Sequence, residues 1–393
     1  MHNHVDQADV YPIAVPQPDN SDLVTPPAPT LNAPTDGTLD RTAYLHKRLG
    51  TSPACNWNAG VSPLVALDNV RWNPAAGVWW AVGGANTDLV KSSIDYGKTW
   101  TSIAIGLDAL AVFDLDFDAA GNAAIANHNS RTLYNWTAST STWSHDLLAI
   151  IGTINKPRVR FDPVNSIWIC FYNDTTAVTG AMRAATSTDR ITWTDRSAQL
   201  PSAFTVVGTF NARMGVGNGR VVVASKLAGT TITMASVATT AVAAAWSSAS
   251  IVAAALTTVT DCSDPIYSAE DSAWLIALYG TIGVVNATEI WKSTDGGLTW
   301  TRTITIAASS VRVVQLANVG HVFVGLTIDG FTVYSLDVGA TWFPAGVQVS
   351  ASTATAHAMS SGGGGLMVVD YGGGSFGSRS SVRLANQAAA ALT

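Results

Sequence analysis

Five arginines pose the first chemical question. Arg71, Arg158, Arg160, Arg213 and Arg312 fall on or beside short stretches that recur through the chain. A ring of guanidinium groups facing one axis can hold an anion through paired N–H donors. Arg71, Arg160, Arg213 and Arg312 are therefore the candidate ligands for an anion or an anionic glycan. The alternative is structural: arginines at strand ends pair with acids or carbonyls of nearby turns, each pair adding little net stability. Acids that could do catalysis are few. The chain has two glutamates, Glu270 in a turn between strands and Glu289 opening a strand, and neither has an obvious tyrosine partner. A paired-carboxylate hydrolase needs two acids at a defined separation, which spacing along the chain does not reveal.

Other chemistry-bearing residues point to structure. Asp114, Asp116 and Asp118 alternate before Gly121, but a dedicated calcium loop would add a bidentate Glu at fixed spacing, so turn capping is the reading. The histidines are scattered. Cys55, Cys170 and Cys262 are odd in number and lack CxxC spacing, which fits buried free thiols better than a disulfide framework or a zinc site. No catalytic residue, metal ligand or cofactor is assigned.

The elements that must position these residues repeat. Opening strands are expected at Val70–Trp72, Leu115–Phe117, Val159–Phe161, Ala212–Met214, Pro265–Tyr267, Val311–Val313 and Ala356–Ala358. A tight turn and an apolar second strand follow each, starting at Gly77, Gly121, Ser166, Gly219, Ser272, Gly320 and Gly365. That period, about 40–50 residues, is that of a four-stranded propeller blade. A third strand then leads into a Ser-x-Asp-x-Gly-x-Thr-Trp turn. Its copies are Ser93, Asp95, Gly97 and Trp100; Ser293, Asp295, Gly297 and Trp300; and Ser335, Asp337, Gly339 and Trp342. One shorter copy has Ser187, Asp189 and Trp193, and two units keep only the aromatic, at Trp143 and Trp246. Ser and Asp side chains accept backbone N–H groups inside such a turn, Gly supplies a positive φ, and Trp wedges into the adjacent apolar layer.

This repeat resembles the Asp-box (bacterial neuraminidase) repeat family from about residue 69 to 387. The resemblance implies an all-β, seven-bladed β-propeller, with six blades as the alternative count. The seventh unit lacks a turn and a fourth strand, so the segment around Trp57 is expected to close the ring against a strand at 381–384, leaving no unpaired edge. The family includes sialidases, which use three arginines, a Tyr–Glu nucleophile pair and an Asp. Here the Phe-Arg-Ile-Pro signature is absent, its nearest counterpart being Val70-Arg71-Trp72-Asn73. With glutamate so scarce, a non-enzyme is expected.

Three parts are expected along the chain: an extended Pro-rich arm over 1–37, a short helix over 38–50, and a propeller over 51–393. Seven prolines in the arm deny it a core of its own. The helix segment Leu39-Asp40-Arg41-Thr42-Ala43-Tyr44-Leu45-His46-Lys47-Arg48-Leu49 resembles the N-terminal attachment segment of bacteriophage tail fibre and related virion proteins. That resemblance implies a virion structural protein, in the tail, whose residues 1–50 contact other virion proteins in a multimeric assembly through Tyr44, Leu45 and Leu49. Its propeller would face a host surface glycan or receptor; a sialidase-like or other glycan-cleaving hydrolase is the alternative. The bulk numbers exclude other classes. Charged residues make up only 12% of the 393 and the net charge is −6, against nucleic-acid binding. No apolar run reaches the length of a membrane span, and no secretory signal precedes the arm.

Overall fold

The computed structural model describes residues 53–55, 58–59, 67–83, 90–104, 112–127, 132–147, 154–175, 181–205, 210–306, 311–348, 357–362, 365–370, 375–378 and 382–384. The expected arm, the expected helix with Tyr44, Leu45 and Leu49, and Trp57 lie outside the described residues.

Antiparallel hairpins build the described chain. Six sheets are each made of consecutive strands, over 69–103, 112–147, 154–195, 213–252, 258–306 and 313–348. A further sheet is composite: the strands His357–Gly362, Gly365–Asp370 and Ser375–Ser378 are joined at the outer edge by Asn58–Ala59. Apolar clusters lie between successive sheets. The last joins Ala358, Met367 and Val369 of the composite sheet to Leu67, Val70 and Trp79 of the first. Second strands are therefore covered on both faces, and all eight residues of Ile167–Asp174 are buried. That double burial is why they read as unbroken apolar runs and not as alternating ones.

The turn before each second strand is fixed by one residue in the left-handed region. Gly77, Gly121, Ser166, Gly219, Ser272 and Gly320 have φ of 67°, 81°, 52°, 65°, 49° and 57°. These are six of the seven positions at which the sequence places the starts. Ser166 and Ser272 hold a conformation that glycine adopts at no steric cost.

The signature turns share one hydrogen-bond pattern. In the first, Ser93 Oγ donates to Asp95 Oδ1 at 2.9 Å, Gly97 N donates to Ser93 Oγ at 2.8 Å and Thr99 N donates to Asp95 Oδ1 at 2.9 Å. The turns at Ser293 and Ser335 repeat all three bonds. In the shorter turn Arg190, at φ 70°, stands where the others have glycine and donates its N–H to Ser187 Oγ. Trp193, Trp300 and Trp342 each turn back, the indole N–H donating to the carbonyl of Arg190, Gly297 and Gly339. The outer strand then starts on the next residue.

The blade count and the closure differ in part from expectation. Six sheets come from consecutive strands, the lower of the two expected counts, and the C-terminal unit supplies three strands and takes its fourth from the N-terminal segment. The expected pairing of the N-terminal segment with 382–384 forms through Pro53–Cys55, but as a separate ribbon; the edge of the composite sheet is instead Asn58–Ala59 against Ser375–Ser378. The third strand of that unit is thus reached earlier, and the chain runs on to make a second pairing with the N-terminal segment.

Candidate ligand-binding site at the inner strands

Opening strands of adjacent sheets lie side by side, which brings residues about 45 apart in sequence into contact. Asp114 is fully buried and accepts the amide of Asn69, the backbone N–H of Val159 at 2.9 Å and Arg160 Nη1 at 2.5 Å. Asp116 accepts the N–H of Phe161 at 2.8 Å. These two carboxylates stitch one inner strand to the next and do not cap a turn. Only Asp118 caps, taking the N–H groups of Ala120 and Asn122. Among the described residues no cluster of three metal-ligating side chains forms.

Across the ring sits an acid that local patterning does not reveal. The inner strand of the fifth sheet breaks between Thr258–Cys262 and Ile266–Ser268, where Pro265 lacks an N–H for the ladder. Asp264, in that break, receives Arg158 Nε at 3.2 Å, Arg160 Nη2 at 3.3 Å and the N–H of Met214 at 3.2 Å. Burial alone would raise its pKa; the surrounding arginines, led by Arg158, hold it at about 2. Asp261, just before the break, takes Arg213 Nη2 at 2.7 Å. The one signal available in sequence was the Asp264-Pro265 pair inside an otherwise regular strand.

The arginines therefore divide. Arg158, Arg160 and Arg213 are buried and ion-paired, but with acids on or beside inner strands of other sheets and not with nearby turns. Arg71 and Arg312 have no carboxylate ion pair among the described residues. The Arg71 guanidinium donates only to its neighbour Val70 O at 3.2 Å, and Arg312 Nε is buried without a partner. Burial lowers the pKa of Arg71, and repulsion from Arg160 adds to that, with Asp114, Asp116 and Asp264 opposing. Of the four arginines singled out by sequence, Arg71 and Arg160 line one open cavity of about 180 Å³ beside Asp264; Arg213 and Arg312 do not line it. Its other walls come from inner strands of the fourth, fifth, sixth and composite sheets, including Met214, Tyr267, Gln315, Asn318 and Ser361.

The glutamates are committed elsewhere. Glu289 is fully buried and accepts the N–H groups of Ala254, Ala255 and Leu256 together with Trp291 Nε1, so it ties the link between the fourth and fifth sheets to a strand. Glu270 receives the hydroxyl of Ser268 within its own turn. Cys170 and Cys262 are buried free thiols, and burial pushes both up in pKa.

Solved structures share this architecture. A YCF48 bound to D1 peptide superimposes with TM-score 0.58 at 15% identity, covering 84% of this chain and 97% of that one. YCF48 from Cyanidioschyzon merolae gives 0.57 at 13% identity, covering 82% and 98%. A virginiamycin B lyase from Staphylococcus aureus with quinupristin gives 0.58 at 9%, covering 82% and 97%. The fold is a β-propeller. Its sheets are blades, and the Arg71 cavity is lined by their inner strands. At these identities the likeness carries fold alone, and the three structures include both a lyase and a peptide-bound protein. No family model matches the chain, and no curated protein matches it.

Proposed function

We propose that this chain is a structural protein of a bacteriophage particle, carried in the tail, anchored by residues 1–50 and displaying its propeller toward a host surface glycan. The anchoring half rests on the Leu39–Leu49 segment and the Pro-rich arm before it. The non-hydrolytic half rests on one observation: Glu289, the better placed of two glutamates, is spent on three backbone N–H groups of a link between blades. A nucleophilic tyrosine polarised by glutamate has no counterpart in that arrangement. The turns belong, on this reading, to the Asp-box type. The composite sheet counts, on this reading, as the closing blade, giving seven, with Trp57 next before Asn58–Ala59 in sequence as Trp100, Trp193, Trp246, Trp300 and Trp342 are next before their outer strands.

Deletion of residues 1–37 tests the anchor. The truncated chain should stay folded and soluble yet fail to join particles; incorporation at normal occupancy would refute the proposal. Sialidase chemistry is the second reading, favoured only by Arg71 and Arg160 sharing a cavity. Release of sialic acid from a fluorogenic substrate, lost in Arg71→Ala, would establish it instead.

A further inference from the structure

We infer that the cavity at Arg71 is a subsite for one carboxylated sugar residue of the hexuronate type, an assignment that rests on the glycan-facing reading above. The first argument is charge. Arg158 and Arg160 spend their charge on Asp264 and Asp114, whereas Arg71 keeps all but one of its N–H donors for an occupant. One planar guanidinium matches one planar carboxylate bidentately. Asp264, which lines the same cavity, repels a second negative charge, so a doubly charged phosphate is disfavoured while a sugar hydroxyl can donate to the carboxylate.

Size and lining narrow the occupant further. About 180 Å³ is below the roughly 300 Å³ at which drug-sized sites begin, which suits one ring inside the open cavity, with any further residue of a chain outside its mouth. Besides Arg71 the walls offer hydroxyl and amide partners at Gln315, Asn318 and Ser361, with the Tyr267 ring and Met214 for the apolar face of a sugar. A bare carboxylate such as acetate would use only the guanidinium and leave those groups idle.

The full-length protein should be titrated by calorimetry, at neutral pH and low salt, with methyl glucuronoside, methyl glucoside, glucose 6-phosphate and acetate. The glucuronoside should bind at least about tenfold more tightly than each of the other three, the scale of one charge-assisted hydrogen bond. Arg71→Gln should remove that preference with an unchanged melting curve, and Arg71→Lys should keep part of it. Ser361→Ala, on the adjoining inner strand, should weaken the glucuronoside and leave acetate unaffected. Equal binding of glucoside and glucuronoside, stronger binding of the phosphate, or an Arg71→Gln variant that binds normally would overturn the subsite. Particle incorporation of the unsubstituted chain separates the two proposals: a parent chain that assembles but binds no uronate sinks the subsite and leaves the anchoring role standing.

Discussion

Asp264→Asn is the sharpest perturbation of the inner-strand network. The substitution keeps shape and removes one charge, so Arg158 and Arg160 lose a shared carboxylate inside the ring while Met214 N keeps an acceptor. Removing one partner of a buried ion pair costs about 3–5 kcal/mol, because the other charge stays desolvated. Part of that cost carries a pH signature. The Asp264 pKa is held at about 2 against an ordinary 3.8. A lowered folded-state pKa stabilises the protein above the unfolded value, and the benefit is lost as pH falls through the folded one. That contribution is about 2 kcal/mol at neutral pH, and it disappears between about pH 4 and pH 2. Urea unfolding of parent and variant at several pH values, compared by midpoint and slope, measures the difference. It should be largest above pH 5 and smaller by about 2 kcal/mol at pH 2. A variant within about 1 kcal/mol of the parent at pH 7 would refute the network's role. So would a gap that stays constant with pH.

Three further outcomes follow from packing and backbone geometry. Ser272→Gly should raise stability by about 0.5–1 kcal/mol in thermal melts, since Ser272 is exposed at φ 49° and the relief exceeds glycine's entropic cost; a lower melting temperature would contradict the strain. Gly215→Ala should cost at least about 1–3 kcal/mol, because its Cβ would overlap the Pro265 carbonyl of the next blade. An unchanged denaturation midpoint would mean that the inner strands are looser than described. Trp57→Ala should lower stability by about 3–5 kcal/mol, as for a buried aromatic at blade closure; a loss no larger than that of an exposed residue would remove Trp57 from the proposed closing blade.

What could be read in advance was what is local. The second-strand starts were visible because a tight turn demands one left-handed residue, supplied as Gly77, Gly121, Gly219 and Gly320 and strained at Ser166 and Ser272. The signature turns were visible because their bonds join side chains to side chains or backbone two to four residues away. Pairings that cross the ring leave no such trace. Arg158 meets Asp264 over a separation of 106 residues, and nothing in the repeat distinguishes an arginine that finds an acid from one, like Arg71, that does not. Asp114 and Asp116 were misread for the same reason: their partners lie one unit further on, where alternation along a single strand says nothing. The strand at 375–378 was missed because Ser375-Phe376-Gly377-Ser378 carries too few apolar residues to stand out among its glycines.

The composite sheet has a mechanical consequence. The six blades are each covalently continuous through the outer strand, but this sheet is held at its edge by two residues, Asn58 and Ala59, and the adjoining ribbon by three, Pro53 to Cys55. Tension applied to the chain ahead of Pro53 would load those short pairings first. The load would fall on three rungs of the antiparallel ribbon, from Pro53 opposite Leu384 to Cys55 opposite Val382. The six continuous blades would feel the force only after both pairings had parted. Strain arriving through the N-terminal segment would thus be absorbed at the seam, with the rest of the ring left intact.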